Sequence, residues 1–268
     1  MKILNKFLRA LLLIFFLLPL LSMVLWMFFA SWEAEALLPS HFTLAWFRYF
    51  FLSGDWLLGL KSTVFSSGVA LLSLGLSIML SRFFVKSNFR YKAQLETLFY
   101  LPMLLPLVGI TIGSHKMLLK LGLDGGIMVF LLHVYFALPY GFRMVYSLYR
   151  LWGVEQEQIA RGLGAGRLRA FCEVNVPLYM HGYLGAFVMA FIISYSQYFI
   201  NFFVGDYRWV NFSMIMTPYI TGSDRNLASV YIFMYMIYGI LVMLICSWIE
   251  RVYKKRRTRY EFFTIEKY

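Results

Sequence analysis

The segment Glu155–Pro177, EQEQIARGLGAGRLRAFCEVNVP, is a polar stretch between two long apolar ones. Its composition favours two short helices joined at Gly164, because glycine readily adopts the positive φ of a tight turn. Pro177 is expected to begin the next apolar helix, at a position where its missing N–H costs little. The second short helix is expected to carry an apolar stripe at i, i+3 and i+6 spacing, formed by Leu168, Phe171 and Val174.

Two interpretations of this segment are open. We expect Ala160 and Leu163 on one face of the first short helix. Arg161, Arg167 and Arg169 supply a charged face, and such a surface suits docking to another protein. An amphipathic loop that lies on the membrane, with basic residues that set the topology, fits the spacing equally well.

The composition places the chain in a membrane. Of its 268 residues, 61% are hydrophobic and 14% are charged, whereas a typical soluble domain has about 25% charged residues. A spanning helix needs about 20 apolar residues. We therefore predict an all-α integral membrane protein with six spans, at Leu8–Ala30, Trp56–Leu80, Phe99–Leu119, Gly126–Tyr149, Pro177–Phe203 and Leu227–Glu250.

The basic residues predict the orientation of the chain. With the N-terminus inside, 19 of the 25 Lys and Arg residues fall in cytoplasmic segments. Both termini and the 155–177 loop are then cytoplasmic. The charge sits at the ends of apolar runs, which indicates topology and contact with anionic lipid and not a nucleic-acid partner. We divide the chain into a first helix with its outer loop (1–55), a core of five spans with a cytoplasmic loop at 150–177 (56–250), and a basic tail (251–268).

The sequence offers no catalytic or metal site. Its four histidines and two cysteines show no metal-binding spacing, and no catalytic set of Ser, His and Asp can be assembled. All 13 acidic residues lie in loops or at helix ends, so the membrane carboxylates that ion-coupled carriers use are missing. We expect no cofactor in this chain and an energy source in a partner.

A few polar side chains lie in the predicted spans. Ser194, Gln197 and Asn201 recur at i, i+3 and i+7, so they are expected on one helical face. They line a translocation pathway in one interpretation and form hydrogen bonds between helices in the other. His133 has the same two interpretations, and a packed, hydrogen-bonded histidine is the one that we favour.

The polar loop resembles the EAA motif of the permease subunits of binding-protein-dependent ABC importers. That motif runs E-A-A, three residues, Gly, nine residues and I-x-L-P. With Gly164 as its glycine, the remaining positions fall on Gln158, Ile159, Ala160, Val174, Val176 and Pro177. The chain departs from the motif at Gln158 and Ile159. In the family the glutamate at the first position helps to hold the ATPase, and Glu155, on the same helical face, is a candidate substitute.

Other stretches resemble the same family in the same order. LPMLLP at Leu101–Pro106 resembles the start of its third helix, and HVYFALPYGFR at His133–Arg143 resembles its fourth. SYSQYFINFFVG at Ser194–Gly205 resembles the fifth helix of the spermidine/putrescine-type branch. The resemblance covers about Trp56–Glu250.

The resemblance implies a type I (MetI-like) permease of the bacterial inner membrane. It implies a cytoplasmic ABC ATPase dimer that binds ATP-Mg, a second permease subunit, which we expect to be a distinct related chain, and an extracytoplasmic substrate-binding protein. The implied ATPase-coupling residues are Glu155, Gln158, Ala160, Arg161, Gly164, Arg167, Leu168, Phe171, Val174 and Pro177.

The substrate is expected to be a small solute that is polyamine-like, thiamine-like or another small organic or metal-bearing compound. Ser196 and Gln197 stand where the polyamine-type branch often has acidic residues, which weighs against a polycation. An ATP-independent channel or carrier and a membrane scaffold without transport activity are the alternatives.

Overall fold

A computed structural model describes residues 2–31, 40–205, 208–222 and 224–265, and within these ranges the side chains of 2–4, 10 and 255–265 are not described. No β-strand forms in this part of the chain. The helices are α1 (Lys2–Phe28), α2 (Ala45–Leu52), α3 (Asp55–Lys86), α4 (Lys92–Leu104), α5 (Leu107–Lys120), α6 (Gly125–Trp152), α7 (Glu155–Gly162), α8 (Arg167–Ala170), a π-turn (Phe171–Asn175), α9 (Val176–Tyr195), α10 (Phe199–Val204), α11 (Phe212–Thr221) and α12 (Arg225–Ile265).

The all-α membrane class is confirmed. Within the described residues, five apolar helical stretches are long enough to cross a membrane, and the number is six if the bent pair α4–α5 counts as one span. Four of the predicted spans fall on α1, α3, α6 and α12, with ends that differ by several residues. The other two, Phe99–Leu119 and Pro177–Phe203, are wrong in their geometry.

The predicted span Phe99–Leu119 is not one helix. It is the pair α4 and α5, which meet at an angle of 103°. Pro106 has no N–H to continue the α4 ladder, and a residue that precedes proline avoids the α region. Leu105 accordingly is extended, with φ −87° and ψ 146°. The bend allows α4 to pack on α6, where the Phe99 and Phe142 rings lie 5.2 Å apart, while α5 packs on α10.

The predicted span Pro177–Phe203 begins earlier and ends earlier. The helix is continuous from Arg167 to Tyr195, so Pro177 lies within it and does not begin it. A proline inside an α-helix loses one hydrogen bond, and its ring crowds the carbonyl four residues before. The π-turn Phe171–Asn175 directly precedes Pro177 and widens the helix there, with Val176 N–H donating to the Phe171 carbonyl.

The chain forms two compact units. The first comprises Met1–Lys61 and Asn211–Tyr238. Its core is aromatic, with Phe50 edge-on to Phe212 and Tyr231. The Asn226 side chain donates to the carbonyls of Trp26 and Phe29 at 2.8 and 2.6 Å. One side-chain amide therefore provides hydrogen bonds to two backbone carbonyls at the C-terminal end of α1.

The segment from Ser31 to Gly54, which lies between α1 and α3, contains one short helix in its described part. The helix α2 occupies part of that segment, and Trp46 Nε1 donates to the Phe29 carbonyl at 3.0 Å. Residues 32–39 of the segment lie outside the described residues.

The second unit comprises Ser62–Val210 and Gly239–Tyr268 and contains the polar loop. Its centre is the contact between α6 and α9. Val145 and Tyr149 of α6 are fully buried there against Tyr179, Tyr183 and Ala186 of α9. α3 packs on α6 through the ring pairs Phe65–Phe130 and Phe84–Phe142.

Close approach of α6 and α9 requires a small residue at position 182. A Cβ atom added to Gly182 would collide with the Leu148 side chain of α6. Small residues commonly allow such approach between membrane helices.

Replacement of Gly182 by valine is therefore expected to destabilise the protein by about 1–3 kcal/mol, the usual cost of overpacking. The matched control is Gly113→Val on α5, because no atom lies within 4 Å of a Cβ built at Gly113. The measurement is thermal unfolding of the purified protein in detergent. Equal midpoints for the two variants would refute the packing argument.

Candidate functional site

The chain enters the polar loop through a turn that only glycine accommodates easily. Gly153 ends α6 with φ 71° and ψ −170°, a region of backbone conformation that is essentially restricted to glycine. Tyr179 Oη of α9 donates to the Gly153 carbonyl at 2.7 Å and fixes the turn. Val154 follows and is buried, so the start of α7 is held against the body of the second unit.

Gly164 joins the two short helices, as the sequence predicts. Its φ is 94°. The Ala165 N–H donates to the Ala160 carbonyl at 3.0 Å, and the Gly164 N–H donates to the Arg161 carbonyl at 3.1 Å. This pair of bonds is the Schellman arrangement that closes a helix through a residue with positive φ. The predicted turn is confirmed.

The helix α7 has a narrow inner face and a wide exposed face. Val154, Glu157 and Ala160, three residues apart, point inward. Glu155, Gln158, Ile159 and Arg161 are exposed. Leu163 was expected to share a face with Ala160, which is wrong, because α7 ends at Gly162 and Leu163 is 85% exposed in the turn.

The expected stripe on the second helix is also corrected. Leu168 is 78% exposed, whereas Phe171 and Val174 are half-buried. The three residues do not share one face, because the π-turn begins at Phe171 and changes the number of residues per turn. Pro177 is half-buried just after the turn, and Arg167 is exposed at the start of α8.

A groove lies between the two arms of the loop. The first arm is α7, and the second arm consists of α8 and the π-turn. The groove is lined by Arg161 and Arg167 at its rim and by Phe171 at its floor, together with Leu168, Arg82 and Glu157. Four of the ten predicted coupling residues, Arg161, Arg167, Leu168 and Phe171, line this groove. The role of all ten in coupling stays a prediction.

Glu157 is the residue at the centre of this region that the sequence did not indicate. It is 4% exposed, and Arg82 Nη2 of α3 lies 2.5 Å from its Oε1. Asn175 Nδ2 donates to its Oε2 at 3.3 Å. The Arg82 guanidinium also lies over the Phe171 ring, 5.3 Å from its centroid. A buried carboxylate is stable only when paired and hydrogen-bonded in this way.

Asn175 extends this network into the spanning helices. Its Oδ1 accepts hydrogen bonds from Tyr149 Oη of α6, at 3.1 Å, and from Tyr183 Oη of α9. The two tyrosine hydroxyls also lie within hydrogen-bonding distance of each other, so their two hydrogens are shared among the three contacts of this group. One connected set of side chains therefore joins α3, α6, α7, the π-turn and α9.

The sequence contained one signal of this network. Glu157 lies three residues from both Val154 and Ala160, which is the spacing of the inner face of α7. A carboxylate in such a position requires a cation, but nothing local identifies Arg82, which is 75 residues away.

The predicted pathway residues form a second polar cluster, on α6, α9 and α10. His133, Ser194, Gln197 and Asn201 are all buried, at 8% exposure or less. The helix breaks between Tyr195 and Phe199, so the expectation that three of them share one helical face is wrong.

His133 nevertheless contacts two of these side chains. Its Nε2 lies 2.9 Å from Asn201 Oδ1, and its Nδ1 lies 2.9 Å from Ser194 Oγ. Since Asn201 Nδ2 donates to the Trp209 carbonyl, Asn201 Oδ1 is the acceptor and Nε2 carries the proton. In a neutral ring Nδ1 then accepts from the Ser194 hydroxyl. The geometry suits cohesion between helices, and a pathway role stays a prediction.

The chain matches a known family over most of its length. The model of the family described as "Binding-protein-dependent transport system inner membrane component" matches residues 73–259, a range that includes the loop and both polar clusters. The chain belongs to this family. It is a multi-pass permease of the inner membrane with the type I ABC importer fold, and it is not itself an enzyme.

Curated relatives narrow the comparison further. The chain is 28% identical over 231 residues to the molybdenum transport system permease protein ModB of Escherichia coli (strain K12), which covers 76% of this chain and 97% of that protein. It is 25% identical over 210 residues to the Haemophilus influenzae protein of the same name, covering 69% and 88%. These relatives do not support the assignment to the spermidine/putrescine-type branch.

The turn at Gly164 yields the first test of the site. No atom lies within 4 Å of a Cβ at this position, so Gly164→Ala adds backbone strain without a clash. A residue other than glycine in the left-handed region costs about 1–2 kcal/mol, and the amides of Gly164 and Ala165 should exchange hydrogen faster in proportion. Gly162→Ala is the control, because Gly162 is in α7 with equally open surroundings. Unchanged exchange in Gly164→Ala would contradict the strained turn.

The histidine cluster yields the second test. His133→Ala removes one hydrogen-bond partner from Ser194 and one from Asn201, and the loss of a partner by a buried polar group costs about 1–3 kcal/mol. We expect a clear drop in the thermal midpoint. His115→Ala, which removes a half-buried ring from α5, serves as the control. A wild-type midpoint together with weaker solute uptake would favour the pathway role of His133 over cohesion.

Proposed function

We propose that this chain forms half of the translocation pathway of an ATP-driven importer. In this proposal a separate cytoplasmic ABC ATPase dimer hydrolyses ATP-Mg and binds the loop Glu155–Pro177. The observation that carries the proposal is the exposure of large apolar side chains on a polar loop: Ile159 is 60% exposed, Leu163 85% and Leu168 78%. Apolar groups grouped on a surface in this way are typical of an interaction site.

The loop is also shaped to transmit force. Its two arms are joined by the glycine turn at Gly164, and the second arm continues through the π-turn into α9 without interruption. A partner that moves the loop therefore moves a spanning helix. The polar side chains of Glu155, Gln158 and Arg161 on α7 are exposed as well, and a combination of apolar and polar side chains is usual at a docking interface.

The other partners follow from the family. The description of the family supports a substrate-binding protein as one partner. We propose that it delivers the solute at the outer face and that this chain forms the pathway together with a second permease subunit. We propose that the second subunit faces this chain across the pathway. The mass of the purified complex shows whether the second subunit is another copy of this chain or a different chain.

The proposed substrate is an oxyanion of the molybdate type. The names of the similar proteins indicate molybdenum transport, and molybdenum occurs in neutral water as the molybdate dianion. None of the 13 acidic residues falls within the predicted apolar cores, and within the described part of the chain the buried polar cluster on α6, α9 and α10 is uncharged. Carboxylates in the pathway would repel a dianion and attract a polyamine.

The test is transport by the reconstituted complex. Proteoliposomes that contain this chain, its ATPase and its second permease subunit, with the binding protein outside, are expected to accumulate molybdate only when ATP is inside. Spermidine and thiamine serve as control solutes. Uptake of molybdate without ATP would contradict the ATP-driven importer and would favour a channel or carrier. ATP-dependent uptake of spermidine or thiamine alone would retain the importer and reject the oxyanion.

A further inference from the structure

The ion pair between Arg82 and Glu157 lies in the lining of the groove, and Glu157 is 4% exposed, unlike the large apolar side chains of the proposed docking surface. We propose that Arg82, Glu157 and Asn175 form an internal linkage that makes the loop and the spanning helices α3 and α9 move as one body. This inference rests on the proposed function, in which an ATPase acts on the loop.

The first argument is the cost of separating the two charges. A carboxylate that is buried and loses its cation is left without compensation, which is far less stable than either the intact pair or a solvated pair. Arg82 Nη2 is 2.5 Å from Glu157 Oε1, so a displacement of α7 alone would break the contact. The pair therefore resists any motion of α7 that α3 does not share.

The second argument is the position of the Arg82 side chain. Its guanidinium touches both arms of the loop, since it pairs with Glu157 on α7 and lies over the Phe171 ring on the π-turn. The backbone joins the two arms only through the turn around Gly164. The Arg82 side chain adds a second connection between the two arms, through its contacts with Glu157 and Phe171.

The third argument is the continuation of the network. Asn175 bonds to Glu157 through its amide nitrogen and to the hydroxyls of Tyr149 and Tyr183 through its oxygen. It lies at the end of the π-turn, at the point where the loop becomes the spanning helix α9. Movement of α7 is thus communicated to α6 and α9 by side chains as well as along the backbone.

Glu157 is in this view a positioning residue and not a docking residue. The two roles predict different defects. A docking residue affects binding of the ATPase, whereas a positioning residue affects the amount of transport obtained from each ATP that is hydrolysed.

The test compares Glu157→Gln with a matched change at an exposed pair. Glutamine retains an oxygen for the bond from Asn175 but removes the charge that faces Arg82. We expect ATPase binding to remain within about twofold of wild type and transport per ATP to fall about tenfold, within the usual range of coupling between two sites. The control is Glu173→Gln, whose partner Arg169 lies 2.9 Å away with both side chains more than 60% exposed.

A double variant protects the test against simple misfolding. If Arg82 and Glu157 act as one unit, Arg82→Gln, Glu157→Gln and their combination lose similar amounts of transport per ATP, because the second change removes a link that is already broken. Losses that multiply in the double variant would show that the two residues act independently and would overturn the linkage. Loss of ATPase binding in parallel with transport would also overturn it, since Glu157 would then be a docking residue.

A distance measurement separates failure of the linkage from failure of the proposed function. Spin labels at the exposed positions Gln156 of α7 and Lys86 of α3, in a chain with Cys172 and Cys246 replaced by serine, report the distance between these helices. The distance distribution should be narrow in the wild-type chain, with or without a partner, and broader in Glu157→Gln. If no ATPase binds the wild-type chain but this difference is present, the importer proposal fails and the linkage stands. A broad wild-type distribution, equal to that of the variant, refutes the linkage alone.

Discussion

The structure depends first on the inability of a hydrocarbon layer to hydrogen-bond with peptide groups. Each N–H and C=O in the membrane needs a partner within the protein, and a helix provides it locally. That constraint explains why the described residues form helices almost throughout. It also explains what is found where a helix stops. At the end of α10 the Asn201 side chain donates to the Trp209 carbonyl, and at the end of α6 Tyr179 donates to the carbonyl of Gly153. In both places a side chain replaces the partner that the helix no longer supplies.

Proline coincides with a break or a distortion of the helical backbone at Pro106 and at Pro177, and the outcomes differ. At Pro106 the ladder ends, and α4 and α5 diverge by 103°. At Pro177 the helix continues, because the π-turn directly before it widens the backbone and accommodates the missing donor. The first outcome sends two short helices to different neighbours. The second keeps the cytoplasmic loop in one piece with α9. Elsewhere in the described residues Pro19, Pro102, Pro139 and Pro218 lie inside α-helices, so the response of the backbone to proline differs from place to place.

These examples indicate what the sequence can and cannot predict. The class of fold and the approximate spans follow from the length of apolar runs, a local property that needs no knowledge of neighbours. The turn at Gly164 was predicted for the same reason, because positive φ is a preference of glycine itself. The bend at Pro106 and the π-turn were not predicted, since the response of a helix to proline depends on what its two halves contact. Glu157 was missed because its burial has meaning only beside Arg82, whose position 75 residues away requires the tertiary structure.

The register of the loop has a consequence for how it is expected to work. Adjacent residues on an α-helix differ in direction by about 100°, so Glu157 and Gln158 have separate roles although they are neighbours. The motif position that normally carries an acid is occupied by Gln158 and faces outward without charge, while the acid at 157 faces inward and is committed to Arg82. Gln158 cannot form an ion pair there, so the proposed contact with the ATPase would depend more on Ile159 and Leu163, which are 60% and 85% exposed. Contact through apolar side chains is little affected by salt, whereas an exposed ion pair is screened over about 10 Å at moderate ionic strength. In this chain the charge of Glu157 stabilises its contact with Arg82 inside the protein, and the exposed apolar side chains are the proposed contact surface for the ATPase.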